Sequence, residues 1–168
     1  TLSGELTCAP EGDLLELNFP ATPPTEAPVD PALIEGLGIK NYSHYARSIF
    51  DVMVVLPREE DVITVAPDYT ALASIDTRGI IVTAAANQPD LDFVSRFFAP
   101  AHGINEDPVT GSAHCCLGPY WADQLGKQAL RARQCSSRGG ELMVTMKDDR
   151  VALRGAATLI AEGTLYIP

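Results

Sequence analysis

The sequence has few basic residues, no long apolar run and no regularly spaced cysteines. Its 168 residues include 12 Lys and Arg against 22 Asp and Glu, which gives a net charge of −10. DNA, RNA and anionic lipid all need cationic contacts, so this charge argues against each of them as the main partner. No apolar stretch approaches the roughly 20 residues that cross a bilayer. We therefore expect neither a nucleic acid nor a membrane as a partner.

The four cysteines form no CxxC motif. They are Cys8, Cys115, Cys116 and Cys135. Adjacent cysteines on a helix point to different faces and cannot readily pair with each other. Buried thiols in a reducing compartment are the simplest account, which predicts a cytoplasmic protein. His102, His114 and Cys115 lack any familiar zinc spacing, so we expect no metal site.

Short apolar segments separated by turn residues predict about eight to ten strands, one long helix and two short helices. Asp30-Pro31 is typical of a helix start. Residues 68–74 fit one or two further helical turns, and residues 58–61 fit a charged loop. The strand candidates are residues 4–9, 14–19, 51–56, 63–66, 80–85, 92–99, 129–135, 142–146, 151–153 and 156–161.

Residues 103–115 combine two carboxylates, two hydroxyls, an imidazole and a thiol, and they precede an apolar run at 116–122. This pattern predicts a loop feeding a helix that starts near Thr110 or Gly111 and ends at Gly126. The first N–H groups of such a helix lack a carbonyl partner and lie at the positive end of its dipole. A helix start of this kind can hold a carboxylate or a phosphate.

The helix after this loop is apolar on nearly every side, so other elements should surround it. The sequence therefore predicts an α+β fold, with one antiparallel β-sheet wrapped as a barrel around a single central apolar helix. The polar start of the helix would then face a pocket. Pro119 lies inside the helix and should bend it locally. A purely structural interpretation stays open, in which Thr110 or Ser112 caps the helix and Asp107-Pro108 makes the turn.

The segment EDPVTGSAH at residues 106–114 resembles the signature of the phenazine-biosynthesis-protein-like (PhzF-like) isomerases and epimerases. Further matches to this family are residues 95–100, 118–121, 125–127 and 134–142. Residues 1–6 also resemble the family, in particular its eukaryotic branch, which includes the phenazine biosynthesis-like domain-containing protein. The resemblance extends over almost the whole chain.

The resemblance implies the diaminopimelate epimerase-like fold. Proteins of this fold have two similar domains, each an antiparallel sheet wrapped round a central helix, with the active site in the cleft between them. Residues 1–168 then form one such domain, the second half of a two-domain protein, and their ends are strands that link to the missing first domain. The family's acid/base glutamate and a histidine lie in that first domain and have no matching position here. The resemblance also makes a homodimer an expectation.

Carried over residue by residue, the resemblance implies that Asp107 and Ser112 are catalytic and that Thr110, Gly111 and Ala113 bind substrate. The implied function is that of a cofactor-independent isomerase or epimerase, which transfers a proton at carbon on a small carboxylate-bearing substrate. We expect the chain to be inactive without the missing domain. A non-catalytic binding or interaction module on the same fold is the alternative.

Three further groups lie close to this motif. His114 follows Ser112 by two residues and points roughly the opposite way on a helix, so we expect a buried, hydrogen-bonded histidine. For Cys115, core packing is favoured over proton transfer by a thiol, which stays open. Glu106 either pairs with Arg96 or is solvated.

Overall fold

Ten strands form a mixed β-sheet in the computed structural model, which describes residues 4–158, 160–164 and 166. The strands are β1 (Thr7–Glu11), β2 (Leu14–Pro20), β3 (Thr25–Glu26), β4 (His44–Arg47), β5 (Asp51–Val55), β6 (Gly79–Ala85), β7 (Phe93–Phe98), β8 (Ala129–Gln134), β9 (Gly140–Lys147) and β10 (Arg150–Gly155). Their order in the sheet is β1-β2-β10-β9-β8-β7-β6-β5-β4-β3. Positions 1–3 of the matched segment 1–6 lie outside the described residues, as does position 159 of the strand predicted at 156–161.

The helices are α1 (Pro31–Gly36), α2 (Glu59–Thr64), α3 (Tyr69–Leu72) and α4 (Gly111–Leu125), with a 3₁₀ turn at Pro100–His102. Asp30 caps α1 by accepting the Ala32 N–H at 2.9 Å, as the Asp-Pro pair predicts. Asp68 caps α3 in the same way. Gly126 ends α4 with a φ of 64°, which glycine adopts without steric cost. Across the described residues, every helix falls short of the length and apolar character needed to span a bilayer.

Two pairs of strands run parallel, β5 with β6 and β7 with β8, while the other described pairs are antiparallel. Parallel neighbours cannot be joined by a hairpin and need a crossover connection. Helices α2 and α3 lie in the crossover from β5 to β6, and α4 lies in the crossover from β7 to β8. In β7, Phe93 and Phe97 share a core with α4, whereas Val94 and Phe98 share one with α2 and α3. The two crossovers therefore cover opposite faces of the sheet.

Helix α4 shares one apolar cluster with side chains from β2 and from β4 to β10. A helix about 10 Å wide can share a core with that many strands, spaced about 4.8 Å apart, only where the sheet curves around it. At Gly118 the helix approaches the sheet closely, because an added Cβ would lie 2.9 Å from Val144 Cγ1. The buried indole of Trp121 donates to the Thr83 hydroxyl at 3.0 Å, which satisfies its N–H.

The α+β class is confirmed, but the closed antiparallel barrel is wrong. The sheet of described strands is open, with β1 and β3 at its two edges, and it is mixed rather than antiparallel. The mixed pairing follows from the two helical crossovers, since parallel neighbours need such a connection. The sheet curves around α4 without joining its edges.

Two local predictions are also wrong. Helix α2 occupies Glu59–Thr64, where a loop at 58–61 and a strand at 63–66 were expected. Three acidic residues in its first turn favour the positive end of a helix, and this outweighs the strand-like apolar pattern that follows. The described residues of segment 156–161 form no strand.

Candidate functional site

The loop at residues 99–110 joins β7 to α4 and carries the predicted site. Because β7 and β8 are parallel, their carboxyl ends point the same way, and Gln134 at the end of β8 pairs with Ser95 in the middle of β7. Both strands hold the backbone of Asp107: its N–H donates to Phe97 O at 3.0 Å, and its carbonyl accepts from Gln134 Nε2 at 2.6 Å. The crevice outside the carboxyl ends of strands is where open α/β sheets commonly bind ligands.

The Asp107 carboxylate is half-buried and has one oxygen committed to the protein. The Thr110 hydroxyl donates to Asp107 Oδ2. Among the residues that the structure describes, no group donates to the other oxygen, Oδ1. The geometry therefore fixes one carboxylate oxygen and leaves the second available to a ligand.

Thr110 occupies the N-cap position of α4, but its side chain makes no capping hydrogen bond. Its hydroxyl donates to Asp107 instead, and its N–H donates to Gln134 Oε1 at 2.9 Å. Capping by the Thr110 side chain is therefore wrong. Direct contact of Thr110 with substrate stays a prediction, while its polar groups are engaged by Asp107 and Gln134.

Three N–H groups open α4, those of Gly111, Ser112 and Ala113, and they donate to no acceptor within the described chain. The Ser112 hydroxyl, on a half-buried residue, likewise meets no hydrogen-bond partner there. Ala113 is 1 % exposed with its methyl group in the core, so only its N–H can reach a ligand. An anion at such a helix end gains roughly 0.3–1 kcal/mol. The structure thus brings the predicted binding groups together beside Asp107.

Two residues that the motif leaves without a role hold this loop from the side of β8. Gln134 is fully buried and directs its side-chain amide at the loop. Ser136 donates its hydroxyl to Pro108 O at 2.8 Å. A signal for Gln134 exists in the sequence, because it continues the alternate residues of β8 that face the core, and a buried amide must find partners.

Burial leaves the imidazole and the thiols of α4 uncharged. His114 is fully buried with Nδ1 2.8 Å from the Thr110 carbonyl oxygen, and burial lowers its pKa to about 4. A carbonyl can only accept, so Nδ1 carries the proton of a neutral ring. Burial raises the pKa of Cys115 to about 11 and that of Cys116 to about 12. The buried, hydrogen-bonded histidine is confirmed, and proton transfer by Cys115 is disfavoured because its thiolate is costly.

Glu106 pairs with Arg96 and is engaged away from the helix start. Arg96 Nε lies 2.6 Å from Glu106 Oε1, and the two side chains are 10 % and 16 % exposed. A second bond of 3.1 Å joins Arg96 Nη2 to Oε2, so the pair is bidentate. The same guanidinium donates to Val65 O at 2.7 Å. This ion pair ties the loop to the segment that follows α2.

A cavity of about 440 Å³ lies beside α2, and none of the predicted site residues lines it. Its walls are residues 38–41, 56–58, 61 and 64–66. The pocket predicted at the start of α4 does not coincide with this cavity, so a ligand held there needs further walls. Within the described chain, no group of His, Cys, Asp or Glu side chains is arranged to hold a metal ion.

The profile of the PhzC-PhzF family, described as phenazine biosynthesis-like protein, matches residues 11–163. The chain is similar to an uncharacterised isomerase of Halalkalibacterium halodurans, with 45 % identity over 168 residues, 99 % of this chain and 63 % of that protein. It is also similar to the phenazine biosynthesis-like domain-containing protein of Bos taurus, with 37 % identity over 183 residues, 98 % of this chain and 63 % of that protein.

The fold is similar to the crystal structure of a PhzF-family phenazine biosynthesis protein from Enterococcus faecalis. The TM-score is 0.85 at 39 % identity, over 96 % of this chain and 61 % of that one. The chain therefore spans a little under two thirds of the length of these relatives. The family match covers the loop, the start of α4 and the Gln134 contacts. By its matched residues, its relatives and its fold, the chain belongs to the PhzC-PhzF family of phenazine biosynthesis-like proteins.

Proposed function

We propose that this chain forms one wall of the active site of a cofactor-independent isomerase or epimerase, which transfers a proton at carbon on a small carboxylate-bearing substrate. The unbonded start of α4 carries the proposal: the N–H groups of residues 111–113 and the Ser112 hydroxyl follow directly on the Thr110 hydroxyl that holds Asp107. The name isomerase, borne by a relative with 45 % identity, supports the reaction class.

Removing a proton from carbon next to a carboxylate requires donors for the negative charge that develops. In this proposal the N–H groups at the start of α4 and the Ser112 hydroxyl supply those donors, already oriented by the helix. The free Oδ1 of Asp107 accepts from an ammonium or ring N–H of the substrate and so orients it. In this proposal Ser112 and Asp107 touch the substrate, and Thr110 orients Asp107 through its hydroxyl, while direct contact of Thr110 with the substrate stays a prediction.

The half-buried positions of Asp107 and Ser112 leave one side of the site open. We propose that the part of the relatives that this chain does not cover supplies the facing wall and the acid/base group. The substrate would then lie between the two parts. On this basis the 168-residue chain alone is inactive.

The test uses protein expressed from the complete reading frame and incubated in D₂O with a panel of α-amino acids, α-hydroxy acids and β,γ-unsaturated carboxylic acids. We expect mass spectrometry to show the gain of one deuterium in at least one compound. Ser112→Ala should slow this exchange roughly a hundredfold, the usual effect of losing one preorganised charge-stabilising donor. Asp107→Asn removes the charge that orients the substrate and should slow the exchange to a similar extent, about the cost of a 1 Å misplacement. The exposed controls Ser74→Ala and Asp13→Asn should exchange at the wild-type rate.

Continued exchange at the wild-type rate in both site variants would contradict the proposal. A different result would favour the binding module: no exchange with any compound, together with saturable NMR shifts of the amides of residues 111–113 on addition of malonate. That outcome would keep the anion site and remove the reaction.

A further inference from the structure

Gln134 has no part in the reaction proposed above, yet all its side-chain hydrogen bonds go to two residues of the site. It is 0 % exposed and lies at the end of β8. Its Oε1 accepts from the Thr110 N–H at 2.9 Å, and its Nε2 donates to Asp107 O at 2.6 Å and to Thr110 Oγ1 at 3.1 Å. A backbone N–H only donates and a backbone carbonyl only accepts, so these contacts fix which end of the amide is oxygen.

The Thr110 hydroxyl links the Gln134 amide to the Asp107 carboxylate. Because Thr110 Oγ1 accepts from Gln134 Nε2, its own hydrogen is directed elsewhere, and it donates to Asp107 Oδ2. The three residues form a continuous chain of hydrogen bonds that runs from the buried Gln134 and Thr110 to the half-buried Asp107. Bonds in such a chain reinforce one another where water is excluded. This chain fixes Oδ2 of Asp107 towards the protein, while Oδ1 has no donor among the described residues.

Gln134 also fixes the backbone of Asp107. The Asp107 N–H is bonded to Phe97 O in β7, and its carbonyl is bonded to Gln134 in β8. The backbone of Asp107 is therefore held between the two parallel strands, by a carbonyl of β7 and by the side-chain amide of Gln134 in β8. No other described side chain hydrogen-bonds to both the backbone of Asp107 and the hydroxyl that orients its carboxylate.

We propose that Gln134 is a positioning residue, which acts through Thr110 to hold the Asp107 carboxylate in the orientation that meets the substrate. The inference rests on the function proposed above and adds a residue to the same site. Gln134 is fully buried and does not touch substrate. Its loss should therefore lower turnover more than it lowers substrate affinity.

The test compares Gln134→Met with Gln124→Met, the same change at an exposed position of α4. The full-length protein is assayed with the panel compound that exchanges fastest. A misplacement of about 1 Å can cost about a hundredfold in rate, so Gln134→Met should lower kcat roughly 10- to 100-fold with KM within about threefold of wild type. Gln124→Met should match wild type in both constants.

Thr110 provides a second pair of variants, which tests the hydrogen-bond link to Asp107 even if Gln134→Met fails to fold. Thr110→Val removes the hydroxyl at nearly constant shape and should lower kcat to a similar extent. Thr110→Ser keeps the hydroxyl, so its kcat should be at least tenfold higher than that of Thr110→Val. Equal kcat for Thr110→Val and Thr110→Ser would overturn the proposed link to Asp107.

The Asp107→Asn background separates positioning from general structural support. There, Gln134→Met should change the residual rate by less than about twofold, because the carboxylate that it orients is gone. An equal loss in both backgrounds, or wild-type kcat in Gln134→Met, overturns the inference and leaves the proposed function standing.

A wild-type protein that exchanges no panel compound refutes the proposed function instead. The orientation of Asp107 is then read from its side-chain carboxyl ¹³C resonance, which Gln134→Met and Thr110→Val should both shift. An unchanged resonance in both variants overturns the inference.

Discussion

Acid is expected to destabilise this protein through one buried histidine. His114 lies on α4 with no exposed surface, its Nδ1–H donates to the Thr110 carbonyl oxygen, and burial lowers its pKa to about 4. In an unfolded chain a histidine titrates near 6.5. Between these two pH values the unfolded state binds a proton that the folded state excludes, so the free energy of unfolding falls as the pH falls. The stabilisation is complete above about pH 6.5 and is lost by about pH 4.

The size of the effect follows from the difference between the two pKa values. That difference is about 2.5, and each pKa unit corresponds to about 1.4 kcal/mol, so the full loss lies between about 3 and 4 kcal/mol, of which about 3 kcal/mol is reached at pH 4. His114→Asn keeps a donor at the δ position and cannot become charged. Urea titrations at pH 7 and pH 4 measure the free energy of unfolding. Between these pH values it should fall by about 3 kcal/mol more in the wild type than in His114→Asn, because the contribution of the carboxylates is the same in both proteins.

His102→Asn provides the matched control, since His102 is exposed in the 3₁₀ turn. In this variant the free energy of unfolding should fall between pH 7 and pH 4 by as much as in the wild type. An NMR titration of the wild-type imidazole gives a direct second measurement, in which the His114 ring resonances should stay constant from pH 7 to about pH 5. Equal acid losses in wild type and His114→Asn, or an NMR midpoint near 6.5 for folded His114, would refute the reasoning.

Two further predictions concern the packing of α4. Gly118→Val should lower the free energy of unfolding by about 1–3 kcal/mol, because even a Cβ would lie 2.9 Å from Val144 Cγ1. Gly163→Ala, whose added Cβ would meet no atom within 4 Å, should change the free energy of unfolding by less than about 0.5 kcal/mol in the same denaturation experiment. Cys115, buried and with a raised pKa, should react with iodoacetamide at pH 8 roughly a hundredfold more slowly than exposed Cys8. Similar alkylation rates, measured by peptide mass spectrometry, would contradict the burial of this thiol.

Helix α4 could be predicted from the sequence because the local signals agree there. Turn-forming residues, an apolar run and a glycine place its start near Thr110 or Gly111 and its end at Gly126, as the structure has it. The aliphatic run of β5 is a buried strand for the same reason. The family signature located Asp107 and Ser112, which the structure places at the opening of α4, while their catalytic roles stay predictions.

The direction of strand pairing could not be predicted, because parallel and antiparallel neighbours leave the same apolar pattern in a short strand. The available sign was the continuous apolar run of β5, which is typical of strands covered by helices on both faces of a sheet. An apolar run of this length fits a barrel strand equally well. The role of Gln134 was hidden for the same reason, since it reaches Asp107 only through the parallel pairing of β7 and β8.

From the crossover from β7 through α4 to β8, we expect the site loop to belong to a large cooperative unfolding unit. Its anchors, Phe97 and Gln134, belong to strands separated along the chain by the whole of α4. Opening the loop by itself would break bonds to both strands, so its amides should exchange with solvent mainly through a larger, sub-global opening. A ligand seated at the start of α4 would then slow amide exchange along both strands as well as in the loop it touches.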